Sequence, residues 1–285
     1  MTLHYGLELP NVGADARTLA ELAHEAEEMG WEGVFLEDYI VDPRDPAGPT
    51  VDPWVALTAM AITTSRIRLG CEVTPLPRRR PWKLVREAIA LDYLSGGRVV
   101  LGIGLGDNGD DSFTHFGEEL NTRARAAMVE EGLDIIRGLM TGQPFSYQGS
   151  YYQVDDVTFA PAPLQQPRIP IWIGGGWPRR SFVRRAAKCD GACPYYNTGS
   201  MEVWRDFTPE DVERFRAEIA EARGGEIDSF DVALGGNKRR PDVGEERAFR
   251  SALAEAGMTW YVEYAPGTID EMRSVIRQGP VRIDG

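Results

Sequence analysis

The chain has 285 residues, 42% hydrophobic and 26% charged, a balance that describes an ordinary soluble globular protein with a core that needs no covalent staples. Its formal net charge of -13 argues against nucleic acid or an anionic membrane as a general partner. Cys71, Cys189 and Cys193 are too few for a disulfide framework, and no second pair completes a zinc site, so no metal is expected. The N-terminus has no basic segment before an apolar run, and nothing approaches the ~20 apolar residues of a membrane span, which predicts a cytoplasmic protein.

Taken in chain order, short β-type runs alternate with amphipathic helices. "LHYGLEL" is the first run, followed by a helix from about Asp15 with Leu19, Leu22, Ala23 and Ala26 on one face and Gly30 as its stop. "GVFLED" is the second run, "WVALTAMAITT" a helix, and "IRLGCEVT" the third run. The helix in "PWKLVREAIALDYL" opens on a proline and stops at Gly96-Gly97, before "RVVLGIG", the fourth run.

A longer excursion comes next. Val129, Leu133, Ile136 and Met140 give a helix with one apolar face, and "PFSYQGSYYQVDDVTFAP" alternates around Gln-Gly as a hairpin does. The pattern then resumes with "IPIWIGG", a helix through Ala187, "DGACPYY", a helix from Thr208 to about Arg223, "FDVALGG", a helix around Phe249 to Ala256, and "MTWYVEYA". Eight β-runs with helices between most of them predict an α/β chain folded as a (β/α)8 barrel. No shift in composition marks a boundary, so 1–285 reads as one domain with an insertion after strand 4, at about 106–165.

Gly104, Gly106 and Gly109 match G-x-G-x-x-G, but in the wrong context for a dinucleotide fold. They follow the fourth run rather than the first, and the residues about twenty further on, "TRARAAMVEE", are helical rather than an acidic strand end. A glycine-only strand end suits a flat group lying against the backbone. Gly174, Gly175 and Gly176, with Pro178 as the expected first helical residue, read as an anion site at a helix N-terminus, helped by Arg179 and Arg180. "DNGDDS" lacks the spaced ligands of a calcium loop.

These stretches carry a family likeness. "IRLGCEVTPLPRRRPWKLVREAIALDYLSGGRVVLGIGLG", "PFSYQGSYYQVDDVTFAPAPLQQPRIPIWIGGG" and "AAKCDGACP" resemble, in order, blocks of the luciferase-like flavin- and F420-dependent oxidoreductases. The resemblance implies a (β/α)8 barrel using FMN or the deazaflavin F420 for hydride transfer or monooxygenation of a small organic substrate. It also implies a homodimer and, for an FMN enzyme, a separate flavin reductase. A flavin-binding barrel without turnover is the alternative.

Carried over residue by residue, Gly104, Leu105, Gly106 and Asp107 would line the ring system, and Asp38 would sit near ring and substrate. Glu72, Val73 and Thr74 fall where relatives carry a non-proline cis peptide behind the ring, expected here between Glu72 and Val73. Gly174, Gly175, Gly176, Trp177 and Arg179 would hold a phosphate. Tyr39 stands where alcohol and sugar dehydrogenases of the family carry a histidine; with a pKa near 10 a tyrosine is a poor base at neutral pH but a serviceable donor. Asp38 and Tyr39 are therefore the expected catalytic pair. Trp54, Trp172 and Trp177 are candidates for an aromatic pocket wall, His115 could approach the pocket, and the run Arg78-Arg79-Arg80 reads as a basic rim suited to the anionic F420 tail.

Overall fold

The computed structural model describes residues 2–283 except 108, 200–202, 204, 226, 236–238 and 266. Eight parallel staves close into a barrel. They are β1 (His4–Leu9), β2 (Gly33–Leu36), β3 (Arg68–Cys71) extended by the short β4 (Thr74–Pro75), β5 (Val99–Gly104), β8 (Ile171–Trp177), β9 (Gly191–Tyr196), β10 (Asp231–Gly235) and β11 (Trp260–Tyr264). Pairing of β3 with β5 and of β1 with β11 leaves no free edge.

The helices α1 (Ala16–Glu28), α2 (Pro53–Thr63), α3 (Pro81–Ser95), α5 (Thr122–Met140), α6 (Arg180–Ala186), α7 (Pro209–Arg223), α8 (Val243–Glu255) and α9 (Ile269–Gln278) form the outer ring. Their starts follow local chemistry. Asp15 accepts from the Thr18 amide at 2.8 Å, Asp52 from Val55 at 3.0 Å, and Thr208 and Thr268 complete capping boxes. Within residues 106–165, α5 packs against α3 and takes the crossover position, while α4 (Asp111–Thr114) and the antiparallel hairpin β6 (Phe145–Gln148) with β7 (Gln153–Val157) lie outside that ring.

The barrel interior is filled, not hollow. Phe35, Trp172 and Trp260 pack with ring centroids 5.3 to 6.0 Å apart, beside Val100 and Val262. Gly33 makes this possible: a Cβ there would lie 2.8 Å from Phe35 and 2.9 Å from Trp260. Trp172 is thus a core residue at the N-terminal half of the barrel, and its indole donates to Asp231 at 3.1 Å, so it walls no pocket at the other end.

Candidate functional site

Two cavities compete. The larger, about 500 Å³, opens at the N-terminal ends of the strands between His4, Arg68, Trp172 and Trp260. The other, about 350 Å³, lies at the C-terminal ends, where barrel enzymes place their chemistry. It collects most of the residues expected from sequence: Asp38, Tyr39, Glu72, Val73, Gly104, Leu105, Gly106, Asp107, Gly174 and Gly175.

The peptide between Glu72 and Val73 is cis, as expected. It turns the Val73 side chain against the strand glycines: a Cβ on Gly104 would meet Val73 Cγ2 at 2.3 Å, and one on Gly174 would meet Val73 Cγ1 at 2.9 Å. The glycines therefore make room first for this bulge, and together with it form a low wall of backbone and one valine. Gly106, at φ +75°, makes room for Phe113 of α4. Thr74 lies behind the wall, fully buried.

Asp38 lies on the cavity wall but is not a free carboxylate. Arg79 Nη2 donates to both of its oxygens, and Arg78 donates to its carbonyl and lies 3.5 Å from Oδ1. Burial pushes the carboxyl up, and the Arg79 and Arg78 guanidiniums pull against it. Arg78 also reaches Asp110 at 3.1 Å, and its side chain is 2% exposed. The expected basic rim is corrected accordingly: Arg78 and Arg79 turn inward because Asp38 and Asp110 neutralise them there, so neither stands ready for an anionic tail.

Tyr39 is half-buried, anchored through its backbone to Asn11 at 2.8 and 3.1 Å, with the Arg44 guanidinium 5.3 Å from its ring. Burial, reinforced by Glu37, pushes its hydroxyl up to about 12, so it remains a proton-bearing donor across the physiological range.

The expected phosphate loop needs correction. Gly174, Gly175 and Gly176 are strand residues, in register with Cys193, Pro194 and Tyr195 of β9, so the ladder rather than a loop sets their conformation. The helix begins at Arg180, after a cis Trp177–Pro178 peptide, and not at Pro178. Trp177 is fully buried behind the strand; its indole donates to Glu218 at 2.8 Å and packs on Phe207 and Phe215. Trp54 is likewise buried in the hydrophobic core, and His115 is exposed outside the cavity. Arg179 and Arg180 are exposed, and Arg179 is close enough to act on Tyr195 at the cavity wall. Of the loop Tyr196 to Phe207, residues 200–202 and 204 lie outside the described residues, as does Asn108.

Several lining residues had no place in the sequence reading: Glu8, Glu37, Asp110, Cys193 and Tyr195. Glu8, Glu37 and Tyr195 sit at or just beyond the C-terminal end of a strand, and the position itself was the available signal.

The model of the luciferase-like monooxygenase family matches residues 3–266. An F420-dependent glucose-6-phosphate dehydrogenase of Nakamurella multipartita is 32% identical over 269 residues, 92% of this chain and 76% of that one. Among solved structures, an F420-dependent secondary alcohol dehydrogenase superposes with a TM-score of 0.80 at 14% identity, covering 99% of this chain and all of the other. A monooxygenase from Streptomyces bottropensis gives 0.78 at 19% identity, covering 96% and 97%. At such identities the structures speak for the fold alone, a (β/α)8 barrel, whereas the family model spans nearly the whole sequence. The chain belongs to the luciferase-like monooxygenase family of oxidoreductases.

Proposed function

We propose that this chain uses F420 for hydride transfer to or from a small organic substrate, with the ring system in the C-terminal cavity. The observation that carries this is the wall: Val73 and the backbone at Gly104, Gly106, Gly174 and Gly175 offer a surface that a planar heterocycle can approach closely. The volume falls within the roughly 300–1,000 Å³ of small-molecule sites. F420 is favoured over FMN because a relative 32% identical to this chain is F420-dependent; the arginine run no longer contributes.

When bound, the deazaflavin supplies the carbon that carries hydride. This chain supplies the rest. Tyr39, held protonated, donates a hydrogen bond to substrate oxygen or nitrogen. Asp38 is a positioning residue that ties the end of β2 to Arg78 and Arg79. Arg179, exposed and acting on Tyr195, and its exposed neighbour Arg180 are the candidates for a phosphate or acidic tail.

The surface helix α2, "PWVALTAMAIT", carries no charged residue, and Val55 and Ile62 are 59% and 69% exposed. An all-round apolar helix is normally covered. With Leu94 beside it on α3, this face supports the expected homodimer. The three cysteines are buried thiols, which suits a reducing, cytoplasmic compartment.

The test is consumption of reduced F420 in the presence of acceptors with activated C=C or C=N bonds. Turnover with one of them, lowered about 100-fold by Tyr39→Phe, is the expected result. Tight F420 binding with no turnover on any acceptor would make the chain a binding protein. Binding of FMN alone would point to a monooxygenase supplied by a separate flavin reductase.

A further inference from the structure

The larger cavity, at the N-terminal mouth of the barrel, lies at the opposite end from the proposed cofactor site. Its volume of about 500 Å³ also falls within the range of small-molecule sites. Barrels normally pack this end with layered side chains. Here Val100, Trp172 and Trp260 form a floor, the two indoles 5.5 Å apart with their planes at 64°, and Arg68 of β3 and Asp231 of β10 stand above it on the walls.

Most charges around the mouth are answered within the protein. His4 Nδ1 and Glu32 pair at 2.6 Å, and Arg282 reaches Glu32 at 3.5 Å. Glu27 accepts the amides of Ser65, Arg66 and Ile67, and Arg66 lies 3.9 Å from Glu27 and 3.8 Å from Glu28. Arg68 and Asp231 are the exceptions: among the described residues, neither makes an ion pair.

Each is instead held in place by neutral partners. Gln165 Oε1 accepts from Arg68 Nη1 at 3.2 Å, and Gln165 is itself fixed, its side-chain nitrogen donating to Asp92 Oδ1 and to the Val99 carbonyl, both at 2.8 Å. Asp231 accepts from the Trp172 indole at 3.1 Å and from the Thr259 hydroxyl at 3.0 Å. Burial pushes its carboxyl up, and these two donors pull it back. A guanidinium anchored through one nitrogen keeps further N–H donors, and a carboxylate that accepts one bond at each oxygen keeps lone pairs.

The two charges are also opposed. In the closed sheet β2, β1 and β11 separate β3 from β10 on one side, and β5, β8 and β9 separate them on the other. Arg68 and Asp231 each open their strand, so they stand on opposite walls of the mouth with the aromatic floor between.

We propose that this cavity binds a small zwitterion, with its carboxylate on Arg68, its ammonium on Asp231 and a flat apolar body against Trp172 and Trp260. A ligand with one charge would leave the opposite wall unmatched, and a neutral ligand would leave both. The C-terminal cavity offers no such pair, since among the described residues no lysine or arginine lines it. The site stands apart from the chemistry, whichever cofactor the other cavity takes.

The experiment is calorimetric titration of the full chain with 4-(aminomethyl)benzoate, benzoate and benzylamine, with tryptophan emission followed in parallel. The zwitterion is expected to bind at least about tenfold more tightly than either singly charged fragment, and to change the emission of the indoles beneath it. Arg68→Gln should lower its affinity to that of benzylamine, and Asp231→Asn to that of benzoate, with F420 affinity kept near wild type. The wild-type comparison decides the proposal by itself should either variant not fold. No binding of the zwitterion, equal affinity for the three probes, or a preference untouched by both substitutions overturns the proposal. Displacement of the zwitterion by F420 would place it in the other cavity and overturns it too. A chain that binds the zwitterion but not F420 loses the cofactor reading and keeps this site.

Discussion

Arg79 donates from a single nitrogen to both carboxylate oxygens of Asp38, at 2.9 and 2.8 Å, and so converts a residue at the end of β2 from a free acid into part of the frame. Arg78 extends the same frame to Asp110 at the start of α4, and stacks its guanidinium 5.3 Å from the Phe113 ring. The ends of β2, β4 and β5 are locked together around the cavity by these charges.

Breaking a buried pair leaves an unanswered charge, which costs more than the pair itself contributes. Arg78→Ala should lower stability by about 3 kcal/mol, visible as a drop of several degrees in the thermal midpoint. Exposed Arg80→Ala should change it by less than about 0.5 kcal/mol. Equal effects at the two positions would contradict the inward orientation of Arg78.

The wall depends on Gly104 and Val73 fitting each other. Gly104→Ala places a methyl 2.3 Å from Val73 Cγ2, and overpacking of this kind costs about 1–3 kcal/mol. Adding Val73→Ala should restore at least half of the loss, since the two side chains compete for one space. Additive effects in the double variant would show that the contact is not what limits residue 104.

Glu27 provides a pH test away from the site. Burial opposes its ionisation, but the amides of Arg66, Ile67 and Ser65 donate to it and hold its pKa down at about 2. The unfolded chain binds the proton more readily, near the ordinary glutamate value. Its contribution, about 3 kcal/mol, is therefore complete above pH ~4.5 and is lost as pH falls toward 2. Denaturant titrations of wild type and Glu27→Gln should differ at pH 6 and converge near pH 2; a constant difference would contradict the assignment.

The apolar face of α2 leads to a third kind of test. Val55→Asp with Ile62→Asp places charge on two exposed positions and should leave the fold intact while giving a monomer by light scattering. A wild-type chain that is already monomeric at micromolar concentration would remove the basis for a dimer through this face.

Much of the fold was legible because each strand is a short apolar run bounded by glycine or a cap, and each helix has one apolar stripe. All eight staves and the hairpin fall where the pattern places them. The errors share one cause: orientation is set by long-range partners that a linear pattern does not contain. The run "IPIWIGG" read as a strand ending in glycines that lead into a helix at Pro178, yet β9 pairs with all three glycines and with Trp177, so the strand continues to Trp177 and its indole packs into the core. The arginine run read as a rim because charge alone does not tell inward from outward; its partners Asp38 and Asp110 lie 40 and 32 residues away from Arg78.

The most direct measurement is a fluorescence titration of F420 against the wild-type chain and against Leu105→Trp, which fills the cavity from its lip. The account predicts saturable binding at micromolar concentration to the wild type and a loss of at least tenfold in the variant, with the thermal midpoint maintained. Equal binding by both proteins, or no binding of F420 by a folded wild type, would contradict the placement of the cofactor in this cavity.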